Sequence, residues 1–406
     1  MFLSRKRHFL LRTTISCFLA CTAILSWVSG TVFAATAPPE VNADGYLVAD
    51  FTTGRVLMSR DVDTAFVPAS LTKIMSLHVL FDAISNGEVA LDDMVKISEL
   101  AWSTQGSKMY ILVGSEVKLE DLVKGITVMS GNDACVAVAE HVAGNVQSFV
   151  ERMNVKARSL GMTTTHYVDP HGLSDDNQVS VSDLMWLVTS YATMHPEALP
   201  YHAFKEFAYT PPGTSQMAPQ FSRNRLLWSY PGTYGLKTGF TTKAGFNTVV
   251  LCERDGLDLI AIVMGSARGK SIDEGERERT ALVTSMLDWA YDNYTFVSVG
   301  EPDTVVGQAR VWKGRGKWVD AVAPLGLGAT VEKEQKDSLT YTVELRSDIE
   351  APIQRGQKVG EAVFTVDGQE VGRANLVASA DVPKGNILRV IWDVIVRALG
   401  RAFTRT

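Results

Sequence analysis

Apolar positions along the chain change their period three times. Residues 13–28 are almost continuously apolar or small and follow a basic run at 5–12. From about 40 to 295, short β-branched runs flank longer stretches with helical spacing. Tyr46-Leu47-Val48-Ala49-Asp50 and Val56-Leu57-Met58 read as strands joined by a turn at Thr53-Gly54. Residues 247–252 and 258–264 read as two more strands around Arg254-Asp255-Gly256. Leu71, Ile74, Leu77, Phe81 and Ile84 line one side of a helix over 70–85. Further helices are predicted at 119–129, 133–143 and 276–294. Strands at both ends with helices between them predict an α/β or α+β domain whose sheet unites the chain ends.

After residue 297 the period falls to two. Leu339, Tyr341, Val343 and Leu345 alternate with polar residues, and Asp367-Gly368 marks a tight hairpin between apolar runs. Lys313-Gly314-Arg315-Gly316 marks another turn. Residues 297–383 therefore read as a small all-β domain. In 384–406, Arg389, Asp393, Arg397, Arg401 and Arg405 recur every four residues along one side of a helix. Leu388, Ile391, Trp392, Ile395, Val396, Leu399, Ala402 and Phe403 take the other side. Each charge at mid-bilayer costs about 2.5 kcal/mol or more, so this helix cannot span a membrane. Its one-sidedness fits a helix lying in the headgroup plane; the alternative is a terminal helix docked on the β domain.

The basic, apolar and small-residue order of 1–34 is that of a secretory signal peptide, with cleavage after Ala34 or, as second choice, Ala37. An uncleaved anchor and a lipoprotein site at Cys21 are weaker readings. The catalytic domain is then 35–296. Export removes Cys17 and Cys21, and leaves Cys135 and Cys252. Two cysteines make no disulfide framework for a body this long, and they read as small buried residues. The net charge of −6 becomes −10 once the signal has gone, which excludes a nucleic-acid binder. Hydrophobic residues at 46% and charged residues at 21% are an ordinary globular balance.

Three short motifs carry chemistry. Ser70-Leu71-Thr72-Lys73 places a serine and a lysine three apart on one helix face. A serine hydroxyl needs a base, and lysine serves only when burial or nearby positive charge makes it neutral. Ser130-Gly131-Asn132 presents a hydroxyl that could relay a proton and an amide that could bind a substrate amide. Lys237-Thr238-Gly239 offers a cation and a hydroxyl where a backbone can approach closely, which suits a carboxylate. Each is weak alone. Their order, with 60 and then 107 residues between them, makes the case.

The set resembles the serine acyltransferases that react with penicillin. Pro68-Ala69-Ser70-Leu71-Thr72-Lys73-Ile74-Met75 resembles their nucleophile helix. Ser130-Gly131-Asn132-Asp133-Ala134, Asp169-Pro170-His171-Gly172-Leu173 and 235–245 are similar to further family segments. Ala351-Pro352-Ile353 and Gly356-Gln357-Lys358-Val359-Gly360 resemble the β domain of one branch, the low-molecular-mass penicillin-binding proteins that are D-Ala-D-Ala carboxypeptidases. The resemblance implies an antiparallel sheet with a helical lobe. It implies Ser70 as nucleophile, Lys73 as its base, Ser130 as proton relay and Asn132 as orienter of the substrate amide. Lys237, Thr238 and Gly239 would receive the terminal carboxylate, with Arg223 near it. The backbone N–H groups of Ser70 and Phe240 would form the oxyanion hole. Phe240 stands where many relatives carry histidine. His171 matches a family histidine near the cleft and reads as structural. The remaining histidines show no metal spacing and read as surface or satisfied core residues.

No cofactor and no metal are implied. The expected partners are peptidoglycan stem peptides, β-lactams as acylating inhibitors, and a membrane surface through 386–406, at the periplasmic or outer face. A class A-like β-lactamase is the nearest rival. None of Glu140, Glu151, Glu197 and Glu206 begins the Glu-x-x-Leu-Asn segment it would need. A membrane-tethered peptidoglycan-binding protein without turnover is the other rival, and the intact motifs argue against it.

Overall fold

A computed structural model describes residues 36–215, 219–324 and 326–403. The expected signal peptide lies outside the described residues, as do the side chains of Leu399, Arg401, Ala402, Phe403 and Arg405. Strands β1 (Gly45–Asp50), β2 (Val56–Arg60), β3 (Thr233–Thr241), β4 (Gly245–Arg254) and β5 (Leu257–Ser266) form one antiparallel sheet in the order β2-β1-β5-β4-β3. β1 pairs with β5, so the sheet does unite the two ends of the domain.

Both faces of this sheet are covered, which explains its near-continuous apolar runs. Leu47, Ala49, Val249, Leu251, Ile260 and Ile262 point into a large core shared with the helical lobe. Their alternating neighbours Val48, Val250, Leu259, Ala261 and Val263 point the other way, onto helix Ile272–Asn293. The lobe includes α1 (Thr72–Ser85), α2 (Asn132–Ala143), α3 (Val146–Ser159) and α4 (Val181–Met194). α3 and α4 are absent from the sequence reading. The expected one-sided helix over 70–85 also differs. Thr72, Lys73, Ser76 and His78 are buried together with the apolar positions, so α1 runs through the core and shows no solvent face along its first three turns.

Helix α5 (Ile272–Asn293) passes directly into β6 (Tyr294–Gly300), which pairs with β9 (Leu327–Glu332). β7 (Thr304–Arg310), β8 (Trp318–Ala323), β10 (Leu339–Leu345), β11 (Lys358–Val366) and β12 (Gln369–Ala378) make a second five-stranded sheet, ordered β7-β8-β12-β11-β10. β11 and β12 form the hairpin expected at Asp367-Gly368. The two parts touch: Thr330 Oγ1 donates to Asp50 Oδ2 at 2.9 Å, and Arg55 lies over the Tyr294 ring and donates to the Thr330 carbonyl.

The terminal helix α6 (Ile387–Phe403) docks on the β domain, which is the alternative reading of the tail. Its polar side packs on the β domain: buried Asp393 accepts from the Lys313 N–H at 2.7 Å, and Arg397 pairs with Glu350 beside the Trp312 ring. Its apolar side faces outward, with Ile387, Leu388, Ile391, Trp392 and Ile395 exposed. No described helix is long and apolar enough to cross a membrane.

Candidate active site

Ser70 sits in a 3-10 turn (Ala69–Leu71) that opens α1, one turn ahead of Lys73. Lys73 is completely buried. Its Nζ lies 3.0 Å from Ser70 Oγ, 2.7 Å from Asn132 Oδ1 and 2.6 Å from the His171 carbonyl. Burial pushes the Lys73 ammonium below the ordinary lysine range, against the attraction of nearby Asp169 and Asp133. A neutral amine has two N–H donors and one lone pair. Asn132 and His171 take the donors, and the lone pair is left for the Ser70 hydroxyl.

Ser130 precedes α2 in a left-handed backbone conformation, φ 58°, and Ala69 holds a similar one, φ 50°. Such conformations cost about 1 kcal/mol or more each; one is that of Ser130 itself and the other directly precedes Ser70. Ser130 Oγ is buried without a hydrogen-bond partner. Asn132 sits at the start of α2, and its Nδ2 donates to the Gln105 carbonyl at 2.7 Å.

The facing wall is β3. Lys237 and Thr238 are buried, and Lys237 Nζ donates to the Thr238 carbonyl at 3.0 Å. Burial lowers Lys237 well below the ordinary range, and the Lys73 ammonium lowers it further. Two buried cations this close repel each other, so the neutral form of one favours the charged form of the other. A Cβ on Gly239 would stand 2.9 Å from the Pro68 carbonyl and 3.0 Å from Ser70 N. Only glycine lets β3 approach the serine turn this closely. Phe240 is half-exposed and stacks on Phe246, with ring centroids 4.3 Å apart.

Arg223 occupies a more open position. Its side chain is 53% exposed, 3.6 Å from Glu276, and lines a cavity of about 510 Å³ with Phe221, Arg225 and Trp228. It still contributes to lowering Lys237. His171 contributes mainly its carbonyl, while its Nδ1 lies 3.1 Å from Asp169 Oδ1. Burial raises Asp169, but hydrogen bonds from His171, Gly172 and Ser174 outweigh it and hold the carboxyl well below the usual range. Gly172, φ 87°, lets this loop close on the nucleophile: a Cβ there would lie 1.8 Å from the Ala69 carbonyl. Cys135 and Cys252 are free and buried; burial pushes the Cys135 thiol up to about 12, so it stays protonated.

The sequence reading missed two supporting residues. Asp133 is fully buried and accepts from the N–H groups of Met109 and Tyr110 at 2.8 and 2.9 Å, tying that loop to the start of α2. Its signal was its place directly after Asn132. Asn247 pairs with Gly239 across β3 and β4 and hydrogen-bonds to the chain before Ser70. It looked like an ordinary strand residue, and only tertiary pairing gives it this task.

A serine with a buried lysine beside it, set between a helical lobe and an antiparallel sheet, is the architecture of the penicillin-recognising serine enzymes. The chain belongs to the serine-type D-alanyl-D-alanine carboxypeptidase family. The family description "D-alanyl-D-alanine carboxypeptidase" matches residues 31–268, and "Penicillin-binding protein 5, C-terminal domain" matches 294–384. D-alanyl-D-alanine carboxypeptidase DacA of Haemophilus influenzae is 31% identical over 96% of this chain and 98% of its own. DacC of Escherichia coli is 33% identical over 93% of this chain and 94% of its own. The crystal structure of penicillin binding protein 5 from Haemophilus influenzae is similar at a TM-score of 0.70 and 31% identity, covering 86% of this chain and 100% of that one.

Proposed function

We propose that this D-Ala-D-Ala carboxypeptidase removes the terminal D-alanine of peptidoglycan stem pentapeptides through an ester on Ser70. The observation that carries this reading is the fully buried Lys73 Nζ, 3.0 Å from Ser70 Oγ. Neutral Lys73 takes the hydroxyl proton as Oγ bonds to the carbonyl carbon between the two D-alanines. The backbone N–H groups of Ser70 and Phe240 receive the oxyanion. A backbone donor does not depend on its side chain, so phenylalanine serves in place of histidine. As the C–N bond breaks, the proton reaches the leaving amine through Ser130, whose hydroxyl has no competing partner. Asn132 holds Lys73 and orients the substrate amide. Lys237, Thr238 and Gly239 receive the terminal carboxylate, and Arg223 adds long-range positive charge. Water then cleaves the ester with Lys73 again as base.

β-Lactams acylate the same serine. The reading divides the chain into a signal at 1–34, a catalytic domain at 35–296, a β domain at 297–383 and a membrane-surface helix at 384–406. It places the enzyme in the periplasm or on the outer face of the cytoplasmic membrane. The outward apolar side of α6 supports the membrane contact. The experiment is mass spectrometry of the penicillin-treated protein beside assay of D-alanine release from a defined pentapeptide. The adduct is expected on Ser70, and Ser70→Ala should lose both activities while staying folded; an adduct on another residue defeats the proposal.

A further inference from the structure

Three side chains that the reaction does not use meet inside the helical lobe. His78 and Asp82 lie one turn apart on α1, and His195 caps the C-terminus of α4. Asp82 Oδ1 is 3.0 Å from His195 Nε2 and 3.7 Å from His78 Nδ1, and the three atoms lie within 4.8 Å of one another. Both imidazoles are buried, while the Asp82 side chain keeps 24% exposure.

The tautomer of His78 follows the Ser190 hydroxyl. His78 Nε2 lies 2.9 Å from Ser190 Oγ, which also has Met194 Sδ at 3.5 Å. When Ser190 turns its proton to that sulfur, His78 donates from Nε2 and Nδ1 keeps its lone pair. That Nδ1 is fully buried and has no hydrogen-bond partner. It faces a carboxylate oxygen, so in that tautomer two acceptors confront each other. A buried acceptor left this way is destabilising, and a cation between the two would remove that cost.

We propose that His78 Nδ1, Asp82 Oδ1 and His195 Nε2 form a zinc site that clamps α1 to the end of α4, with water in the fourth position. Two imidazoles and a carboxylate are zinc chemistry, and nitrogen donors exclude magnesium and calcium. Tetrahedral ligation needs donor separations of about 3.3 Å, and the two measured edges bracket that value. His195 must free its Nε2. The proton moves to Nδ1, which is now unpartnered and lies 3.7 Å from Glu197 Oε1. The ring exchanges tautomers and no net proton leaves. Ser190 and Glu197 then face the outer nitrogens of the two ligand rings, the arrangement that fixes ring orientation in metal sites.

Lys156 is the competitor. Its Nζ lies 2.6 Å from Asp82 Oδ2 and balances the carboxylate while the metal is away. Zinc entry displaces this ammonium toward solvent, which its 15% exposed side chain already reaches. Removing it should tighten zinc binding. A mere ion-pair cluster makes the opposite prediction, since Lys156→Met would only strand Asp82 without its cation.

The test is calorimetric titration of the chelator-stripped full chain with Zn²⁺ alone, beside thermal unfolding, with Mg²⁺ as control. One zinc per chain and a raised Tm are expected. Lys156→Met should bind tighter, His195→Gln should lose the site, and Ser190→Ala should weaken it about 10–100-fold. Penicillin labelling should be unchanged in all three. X-ray absorption of the zinc-loaded wild type should show two imidazoles among nitrogen and oxygen neighbours only, and it decides the matter if His195→Gln does not fold. Absence of stoichiometric zinc in both wild type and Lys156→Met, or a first shell without imidazole, overturns the proposal.

Discussion

Asn247 reaches across from the sheet and holds the chain that leads into Ser70. Its Nδ2 donates to the carbonyls of Val67 and Pro68 at 2.9 and 3.1 Å, and its Oδ1 accepts from the Gly265 N–H at 2.8 Å. The same residue pairs with Gly239, so one amide fixes the serine turn relative to the strand that carries Lys237. Asn247→Leu should leave a folded protein whose acylation rate falls about 10- to 100-fold, because a misplacement of about 1 Å costs that much. Asn247→Gln should recover part of it. Stopped-flow acylation by a fluorescent penicillin, with circular dichroism as the fold control, checks this; an unchanged rate in Asn247→Leu removes the positioning role.

With Lys73 as the proposed base, its protonation should set the acid side of the pH profile. Burial lowers its pKa, so the neutral base is populated at lower pH than for a free lysine. Acylation should fall as pH drops through that lowered value. Lys73→Arg keeps its charge at all working pH and should be slower by at least about 100-fold. Near-normal acylation by Lys73→Arg excludes this base. Lys237→Ala should weaken handling of a peptide with a free carboxylate far more than handling of its amide, as read by kcat/KM for the pair.

Asp258 gives a stability signature remote from the chemistry. Burial pushes its carboxyl up to about 7, although Tyr234 donates to it at 2.7 and 2.9 Å. The folded state therefore holds a proton that the unfolded chain loses near its ordinary value of 3.8. Between those values the folded state binds more protons, so this group's contribution to stability declines as pH rises from about 4 to about 7. Urea unfolding across that range should show a slope that Asp258→Asn flattens. An identical slope in the variant refutes the assignment.

The tail can be tested from its buried side. Asp393→Ala removes the bond to the Lys313 N–H and should release α6 from the β domain, raising protease cleavage near residue 386. Ile391→Asp with Ile395→Asp should keep the docked helix and abolish pelleting with anionic vesicles, without loss of acylation. Vesicle binding that survives the double variant places the membrane contact elsewhere.

Strand residues were legible because both faces of the central sheet are buried, and β-branched runs survive any tertiary context. The motifs that begin at Ser70, Ser130 and Lys237 were legible through their order and the 60 and 107 residues between them, since each is weak alone. The amphipathic reading of 70–85 went astray because α1 runs through the core, where Lys73 and His78 are as buried as leucines. Asn247 and the meeting of His78 with His195 were not legible, and Asp133 showed only its place after Asn132. Their partners lie 18 to 180 residues away, and no local period records that.

Helix α5 runs into β6 with no residue between them, and Thr330 bonds to Asp50 across the same junction. With α6 on the bilayer, as proposed, a joint without a linker would tend to hold Ser70 at a set height above the lipid. Trimming would then be confined to a thin stratum of the wall. Stem peptides above it would keep their terminal D-alanine until growth or turnover carried them to that level, and an added hinge residue after Asn293 would thicken the layer the enzyme can mature.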